Sequence, residues 1–578
     1  MFRVAGHRFV LLCAIALGCS GVEPVRALNA GGAGGTPSNL AGNSASPATS
    51  GEGGASGESA SAGTPAEPPM RPPDSLIPAR IRRLANVEYD TSLQSLLGTQ
   101  LAPAEAADFP PDLRRDGFTV NASQRVDAVI VERLADAADT LVSEAQQHGT
   151  LARLAPCAAN TDETTCARQF IVTFGSKVYR RPLLDEEIDS LLVLYAAGAE
   201  DASYADGIAH VTRGLLQSAG FLYLTELGTG ERPQSGIVPL TPYELASSLS
   251  YFLTSAPPDD ELLTKAANGA LQEPAEREAQ ARRLLATDAR AKDTAVRLVR
   301  EWLGIDRIVV SAKDTLVYPN FEALKPSIVA ESTDFVGAVA FEASGNVSEL
   351  FGARWTMNTG PLDLYQTAGA GPIPGSTLLT DRVGILNQSA FLSTYAQAHE
   401  GHPVFRGVAI AQRVACMGLD SPASFNIQVV PPAPDPNLTI RERYSQHSTN
   451  EICAGCHQII DPFGFSFEHY DGIGAQRDLD HGKNVDSAVQ VTSPTWLAGT
   501  YNDSNELATA LAGRAEVQEC FARFMFRAAA GTGDGAATPG EAEFIDGIRA
   551  LPASERGNIV ETLVSAAKSA NFAARSAP

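Results

Sequence analysis

Residues 126–142 read VDAVIVERLADAADTLV, and within them Val126, Val129, Ile130, Leu134, Ala137, Ala138, Leu141 and Val142 recur at three- and four-residue spacing. That is the stripe of an amphipathic helix, because side chains three and four positions apart share one helical face. The same pattern continues down the chain. Thr241-Pro242-Tyr243-Glu244 is a capping box with proline at the first helical position, which predicts a helix through Phe252. Ser and Thr caps, alanine-rich windows and glycine stops recur between Asp259 and Gly304. Strand-like runs are short and few, with Arg307–Ser311 and Val485–Val491 among them. The expected fold is mainly α: a multi-domain helical body with small β hairpins.

That body, roughly residues 75–578, is too long for one core and is expected to divide into several packed units. Ahead of it, Arg3 and Arg8 precede an apolar run from Phe9 to Leu17, too short to span a bilayer and patterned as a signal peptide. The run ends in Ala16-Leu17-Gly18-Cys19-Ser20, similar to a bacterial lipoprotein cleavage box with Cys19 as the lipidated residue. A cut beyond Cys19 would leave a free thiol instead. Residues 20–74 form a Gly/Ala/Ser/Pro tether that cannot bury enough apolar surface to offset its ordering entropy. About 45 residues of this composition reach roughly 35–40 Å by random-coil scaling. The expected location is outside the cytoplasm, as an outer-membrane lipoprotein facing the periplasm or the surface. The membrane is then touched only through the lipid. The net charge of −23, with no basic cluster in the mature chain, argues against nucleic acid and anionic membrane surfaces as partners.

Near the C-terminus lies Cys453-Ala454-Gly455-Cys456-His457. Two cysteines three positions apart lie on one face of a helical turn, so both sulfurs can reach the vinyl groups of one haem edge. The adjacent His457 then supplies the proximal iron ligand. The expected cofactor is covalent haem c, in a cytochrome-c-like segment. A redox dithiol and half of a zinc site also use Cys-x-x-Cys. Zinc is disfavoured because no second Cys-x-x-Cys or His-x-His pair exists in the sequence. With Cys13 lost in the signal, Cys157, Cys166, Cys416 and Cys520 remain. Cys157 and Cys166 bracket a short polar loop and can close it as a disulfide; Cys416 and Cys520 would then pair by elimination. The spacing leaves the connectivity open.

Laid out in this order, the sequence resembles a bacterial exported family assembled from five successive domains of unknown function: 1587, 1595, 1592, 1588 and 1585. Arg83-Leu84-Ala85-Asn86-Val87-Glu88-Tyr89, Leu96-Leu97-Gly98, Phe109-Pro110-Pro111 and Gly117-Phe118 resemble the first, over 78–145. Phe174-Gly175, Tyr179-Arg180-Arg181-Pro182-Leu183 and Phe221-Leu222-Tyr223 resemble the second, over 160–228. Leu240 to Ala246, Leu249 to Leu253, Pro258-Asp259 and Trp302-Leu303 resemble the third, over 236–366. The fourth, over 378–480, is carried by Gly384-Ile385-Leu386, Pro403-Val404, Arg406-Gly407, Arg441-Glu442-Arg443, His447, Cys453 to His457 and Asp461 to Phe465. Leu507, Leu511 and Cys520 resemble the last, over 500–573. The resemblance implies this architecture and a haem in the fourth unit; it supplies no reaction. The chain departs from the family at Thr254, where an aromatic is usual, and at His402, where a serine is usual before the proline.

Other motifs carry less. His399-Glu400-Gly401-His402 has histidines three apart, not the four a metal-binding helix needs, and reads as a solvated loop. Asp478-x-Asp480-x-Gly482-x-Asn484-x-Asp486 is similar to a calcium loop, yet its glycine falls one place early and Val489 stands where the acid should be. A polar hairpin turn fits it better. Tyr179-Arg180-Arg181-Pro182 reads as a helix end with solvated arginines, with Arg180 a candidate partner for a haem propionate. Pro462 is expected to stop the attachment helix just beyond the pentad. Candidates for a sixth haem ligand are His447, Met417, Met525 and Met357; an extended chain from His447 to Cys453 covers roughly 20 Å, enough to pass the haem edge. An open sixth position would favour peroxide or small-gas chemistry, a protein ligand electron transfer. One attachment motif stands against a di-haem peroxidase. The leading expectation is a lipid-anchored haem protein passing electrons to or from a separate oxidoreductase. A different class of function is an extracellular polymer-binding scaffold with a structural or sensory haem. No catalytic triad, phosphate loop or dinucleotide fingerprint stands out, so no catalytic residue is assigned.

Overall fold

The capping box at Thr241 works in both directions. Its hydroxyl accepts the Glu244 amide, the Glu244 carboxylate accepts the Thr241 amide, and the helix runs Pro242–Thr254. Glu244 also takes the amides of Leu227 and Gly228, fixing the helix start against the chain that precedes it. In the computed structural model, the described residues are 76–577, apart from 107–108, 231–234, 421–423, 425–431, 446–450 and 532–537. Cys19, the signal and tether segments, and His447 lie outside them.

The fold is mainly α. Long helices include Ala128–Gln147, Glu163–Tyr179, Asp185–Ala199, Tyr204–Leu216, Ala289–Leu303, Phe321–Phe341 and Ala515–Ala530. Along Ala128–Gln147 the expected stripe faces the core through Ile130, Leu134, Ala137, Ala138, Leu141 and Val142. Val129 sits on its flank and is 49% exposed. The described strands pair antiparallel, with one isolated parallel bridge between Pro78 and Ser576. Arg80–Arg83 pairs with Tyr223–Glu226, and Ile237–Pro239 with Ala574–Ser576. Ser376–Leu379 is the middle strand of a three-stranded sheet between Trp355–Met357 and Thr367–Ala370.

Two large hydrophobic cores organise the helices. One gathers residues from Leu84 to Leu224 and admits Tyr251. The other draws on Phe118 and on residues from Leu240 to Phe572. The smaller core is thus shared by residues of the first two expected units, and the larger one by residues of the later units together with Phe118. The Tyr251 hydroxyl joins Ser92 Oγ at 2.8 Å where the cores meet. The two ends of the body close on Glu226, whose carboxylate accepts Arg80 Nε at 2.7 Å and Arg575 Nε at 2.8 Å. Burial disfavours its charge, but the two guanidiniums outweigh that and hold the carboxyl well below the usual range. Among the described residues no helix is long and apolar enough to cross a membrane.

Several local expectations change. Arg307–Ser311 is no strand: Ile305–Val310 forms a 3-10 helix that buries Ile305 and Ile308 and leaves Val309 and Val310 exposed. The three-residue spacing of the buried isoleucines selects that geometry. Of Val485–Val491 only Val489–Val491 is strand, paired with Gly499–Tyr501. The aspartate-rich stretch before it forms a tight hairpin, Leu479–Asp480 against Lys483–Asn484, with His481 and Gly482 both at positive φ as such a two-residue turn requires. Arg180 is not solvated. It caps the Glu163–Tyr179 helix in the left-handed region, and its buried guanidinium donates to the carbonyls of Gly220, Phe221 and Tyr223. Those bonds already occupy it, which leaves no role as a propionate partner.

Candidate functional site

The pentad Cys453–His457 lies on the helix Glu451–Phe465, and what fixes that helix is its other end. The expected stop at Pro462 does not occur; the helix continues through it to Phe465. A mid-helix proline removes one backbone donor, but burial of Ile460, Phe463 and Phe465 holds the last turn in place. The helix Pro403–Ala409 crosses it at contact distance. An ideal Cβ on Gly464 would lie 1.9 Å from the Pro403 carbonyl oxygen, and one on Gly407 would lie 2.2 Å from that of Ile460. Only glycine permits backbones this close.

The crossing helix is itself started by His402, which is 4% exposed and no part of a solvated loop. Its Nδ1 accepts the Phe405 amide at 3.1 Å, and its ring stacks on Phe405 at 3.7 Å. The imidazole therefore does what a serine hydroxyl does at a helix N-cap. Burial, reinforced by the nearby Arg406 charge, lowers its pKa to about 4, so it is neutral and able to accept. Arg406, fully buried, donates to the carbonyls of Leu392, Phe467, Tyr470 and Asp471 and so ties the crossing helix to the chain that leaves the pentad helix.

At the N-terminal half the side chains are more exposed. Cys453 and Cys456 are unpaired thiols, both partly exposed. Between them Gly455 is exposed, and among the described residues nothing lies within 4 Å of where a Cβ would stand. His457 Nδ1 lies 2.8 Å from Asp461 Oδ1, one turn further along the same helix. A carboxylate accepts, so Nδ1 carries the proton and Nε2 holds the lone pair. In the sequence Asp461 stands out only as the first residue of the Asp461–Phe465 motif. The signal was available: positions 457 and 461 are i, i+4 neighbours once the helix is allowed to continue.

Beside the segment leading into the pentad is a cavity of about 320 Å3, walled by Tyr318, Glu400, Arg443, Asp471, Arg477 and Asp480 among others. Arg443 pairs with Glu400 there. Among the described residues its Nε and Nη1 have no hydrogen-bond partner. Arg477 donates to Glu468 Oε2 at 3.0 Å and Asp480 Oδ1 at 2.8 Å. Burial pushes the Glu468 carboxyl up to about 7 in spite of the arginines near it.

The candidate sixth ligands are dispersed. Met525 is fully buried on Ala515–Ala530, in the larger core. Met417 packs partly buried against the same core, directly after Cys416. Met357 ends the strand Trp355–Met357. Cys416 is disulfide-bonded to Cys520, joining the chain after the crossing helix to Ala515–Ala530, and Cys157 is bonded to Cys166. Among the described residues no group of three or more His, Cys, Asp or Glu gathers as a metal site.

The donor set suits a covalent haem: two thiols on one turn, a histidine with its lone pair on Nε2, and an exposed glycine between the thiols. Comparison with known families gives four matches, each described as a protein of unknown function. They are PSD3 (DUF1587) over residues 82–147, PSD5 (DUF1595) over 166–226, PSD4 (DUF1592) over 240–365 and PSCyt3 (DUF1588) over 382–480. The last contains the pentad and the crossing helix. No curated protein and no solved structure matches the chain.

Proposed function

Since the chain belongs to the family assembled from domains of unknown function 1587, 1595, 1592 and 1588, and its pentad lies in the unit whose name, PSCyt3, points to a cytochrome-like domain, we propose that it is an exported c-type haem protein exchanging electrons with a partner oxidoreductase. The observation that carries this reading is the joint state of Cys453, Cys456 and His457. The thiols are unpaired on one turn, and the imidazole is oriented through Nδ1. Cys453 and Cys456 would hold the macrocycle through thioether bonds, and His457 Nε2 would be the proximal ligand. Bound there, haem supplies one-electron chemistry.

The chain's own part is positional. Gly464 and Gly407 allow the helix to be locked at its base, so the reactive end projects from a rigid support. Partial exposure of both cysteines and of His457 keeps that end within reach of another protein. Lipid on Cys19 and the tether that follows would hold the body near an outer membrane, within reach of such a partner.

The test is expression in a host with haem-c maturation, followed by reduced and oxidised absorption spectra with and without peroxide. A low-spin spectrum insensitive to peroxide is expected for electron transfer. A high-spin, peroxide-reactive product would reassign the protein as an enzyme.

A further inference from the structure

We infer that Asp461 is the positioning residue of the site: it fixes the His457 tautomer and orientation, and it sets the potential of the group His457 binds. This rests on the haem reading above. The observation behind it is independent of that reading, because the 2.8 Å contact between His457 Nδ1 and Asp461 Oδ1 exists in the protein alone.

Three features make the contact a device and not a surface pair. Asp461 is buried, with its side chain 8% exposed, whereas that of His457 is 18% exposed. The buried partner is thus the fixed one. Asp461 also sits between Ile460 and Pro462, on the turn pressed against Gly407, where an added methyl would strike the Ile460 carbonyl. Its backbone therefore cannot shift without separating two close-packed helices. Finally, the i, i+4 geometry brings the carboxylate back toward the pentad, so Nδ1 is taken and ligation falls to Nε2.

The chemical consequence follows from charge. A carboxylate that accepts the Nδ1 proton makes the imidazole a stronger donor and stabilises the more positive, oxidised state of a bound metal centre. Removing that charge should favour the reduced state. Outer-shell partners of this kind are worth about 10- to 100-fold in metal affinity or activity. A tenfold change in the reduced-to-oxidised ratio is about 59 mV for one electron.

Asp461→Asn and Asp461→Glu in the full-length, matured protein test this. With haem attached in all forms, Asp461→Asn should raise the midpoint potential by about 59 mV or more. Asp461→Glu should return it toward the wild-type value. In the protein without haem, labelling its nine histidines with 15N should show His457 protonated on Nδ1 in the wild type and as a tautomer mixture in Asp461→Asn. A haem-bearing Asp461→Asn protein with unchanged potential overturns the inference and leaves the proposed function standing. A wild-type protein that takes up no haem overturns the proposed function, and an unchanged tautomer in the variant then overturns the positioning role as well.

Discussion

The two ends of the helix Glu451–Phe465 differ in almost every physical respect. Toward Phe465 the chain is buried and glycine-crossed; toward Glu451 it carries two unpaired thiols, an exposed glycine and a partly exposed imidazole. One element thus separates support from chemistry, with Asp461 as the link between them. Tolerance to substitution should divide along the same line. Substitutions at the anchored end should cost stability and leave the thiol chemistry to follow, whereas substitutions at the open end should remove chemistry at little cost in stability.

The largest effect is expected at the crossing. Gly464→Val places side-chain atoms where the Pro403 carbonyl already stands, so the helices must part. A loss of about 4 kcal/mol or more is expected, of the kind reserved for core overpacking and backbone clashes. Denaturant unfolding of the purified variant would measure it, and a wild-type midpoint would show that the crossing does not anchor the helix.

His402 gives a smaller effect that depends on pH. Its folded pKa of about 4 lies below the unfolded value of 6.5, because burial and Arg406 oppose its protonation. Between these values the unfolded chain binds a proton that the folded chain refuses. The contribution is therefore complete above pH 6.5 and is lost as pH falls toward 4, by about 3 kcal/mol. His402→Asn retains an N-cap acceptor and should flatten that part of the stability profile. An identical slope in the variant would place the acid sensitivity elsewhere.

At the open end, the pair Cys453→Ser and Cys456→Ser should shift stability of the protein without haem by no more than about 0.5 kcal/mol, as for surface changes away from packed features. A loss of several kcal/mol would mean that the thiols belong to the support, and the contrast between the two ends would collapse.

Much of the helical framework was legible in the sequence, for reasons particular to each element. The Thr241 box was readable because caps are local, and the Val126–Val142 stripe because burial at helical spacing is periodic. Pro462 misled because the penalty of a proline is local, whereas Phe463 and Phe465 find their burial in distant partners. Arg180 and His402 misled for a related reason. A charged or titratable side chain looks solvated until the carbonyls or the amide that satisfy it are brought in from elsewhere in space. The thiols and His457 were visible as a motif, but the Asp461 contact needed the helix to continue where the sequence seemed to end it.

Covalent attachment of haem at Cys453 and Cys456 is tested by a measurement that keeps only covalent bonds. The full-length protein, matured in a host that attaches haem c, is unfolded in acid and solvent-extracted, then examined for absorbance and for thiols open to alkylation. The expected result is haem absorbance that stays with the chain and no alkylation at either cysteine. A colourless chain alkylated at both Cys453 and Cys456 would contradict it.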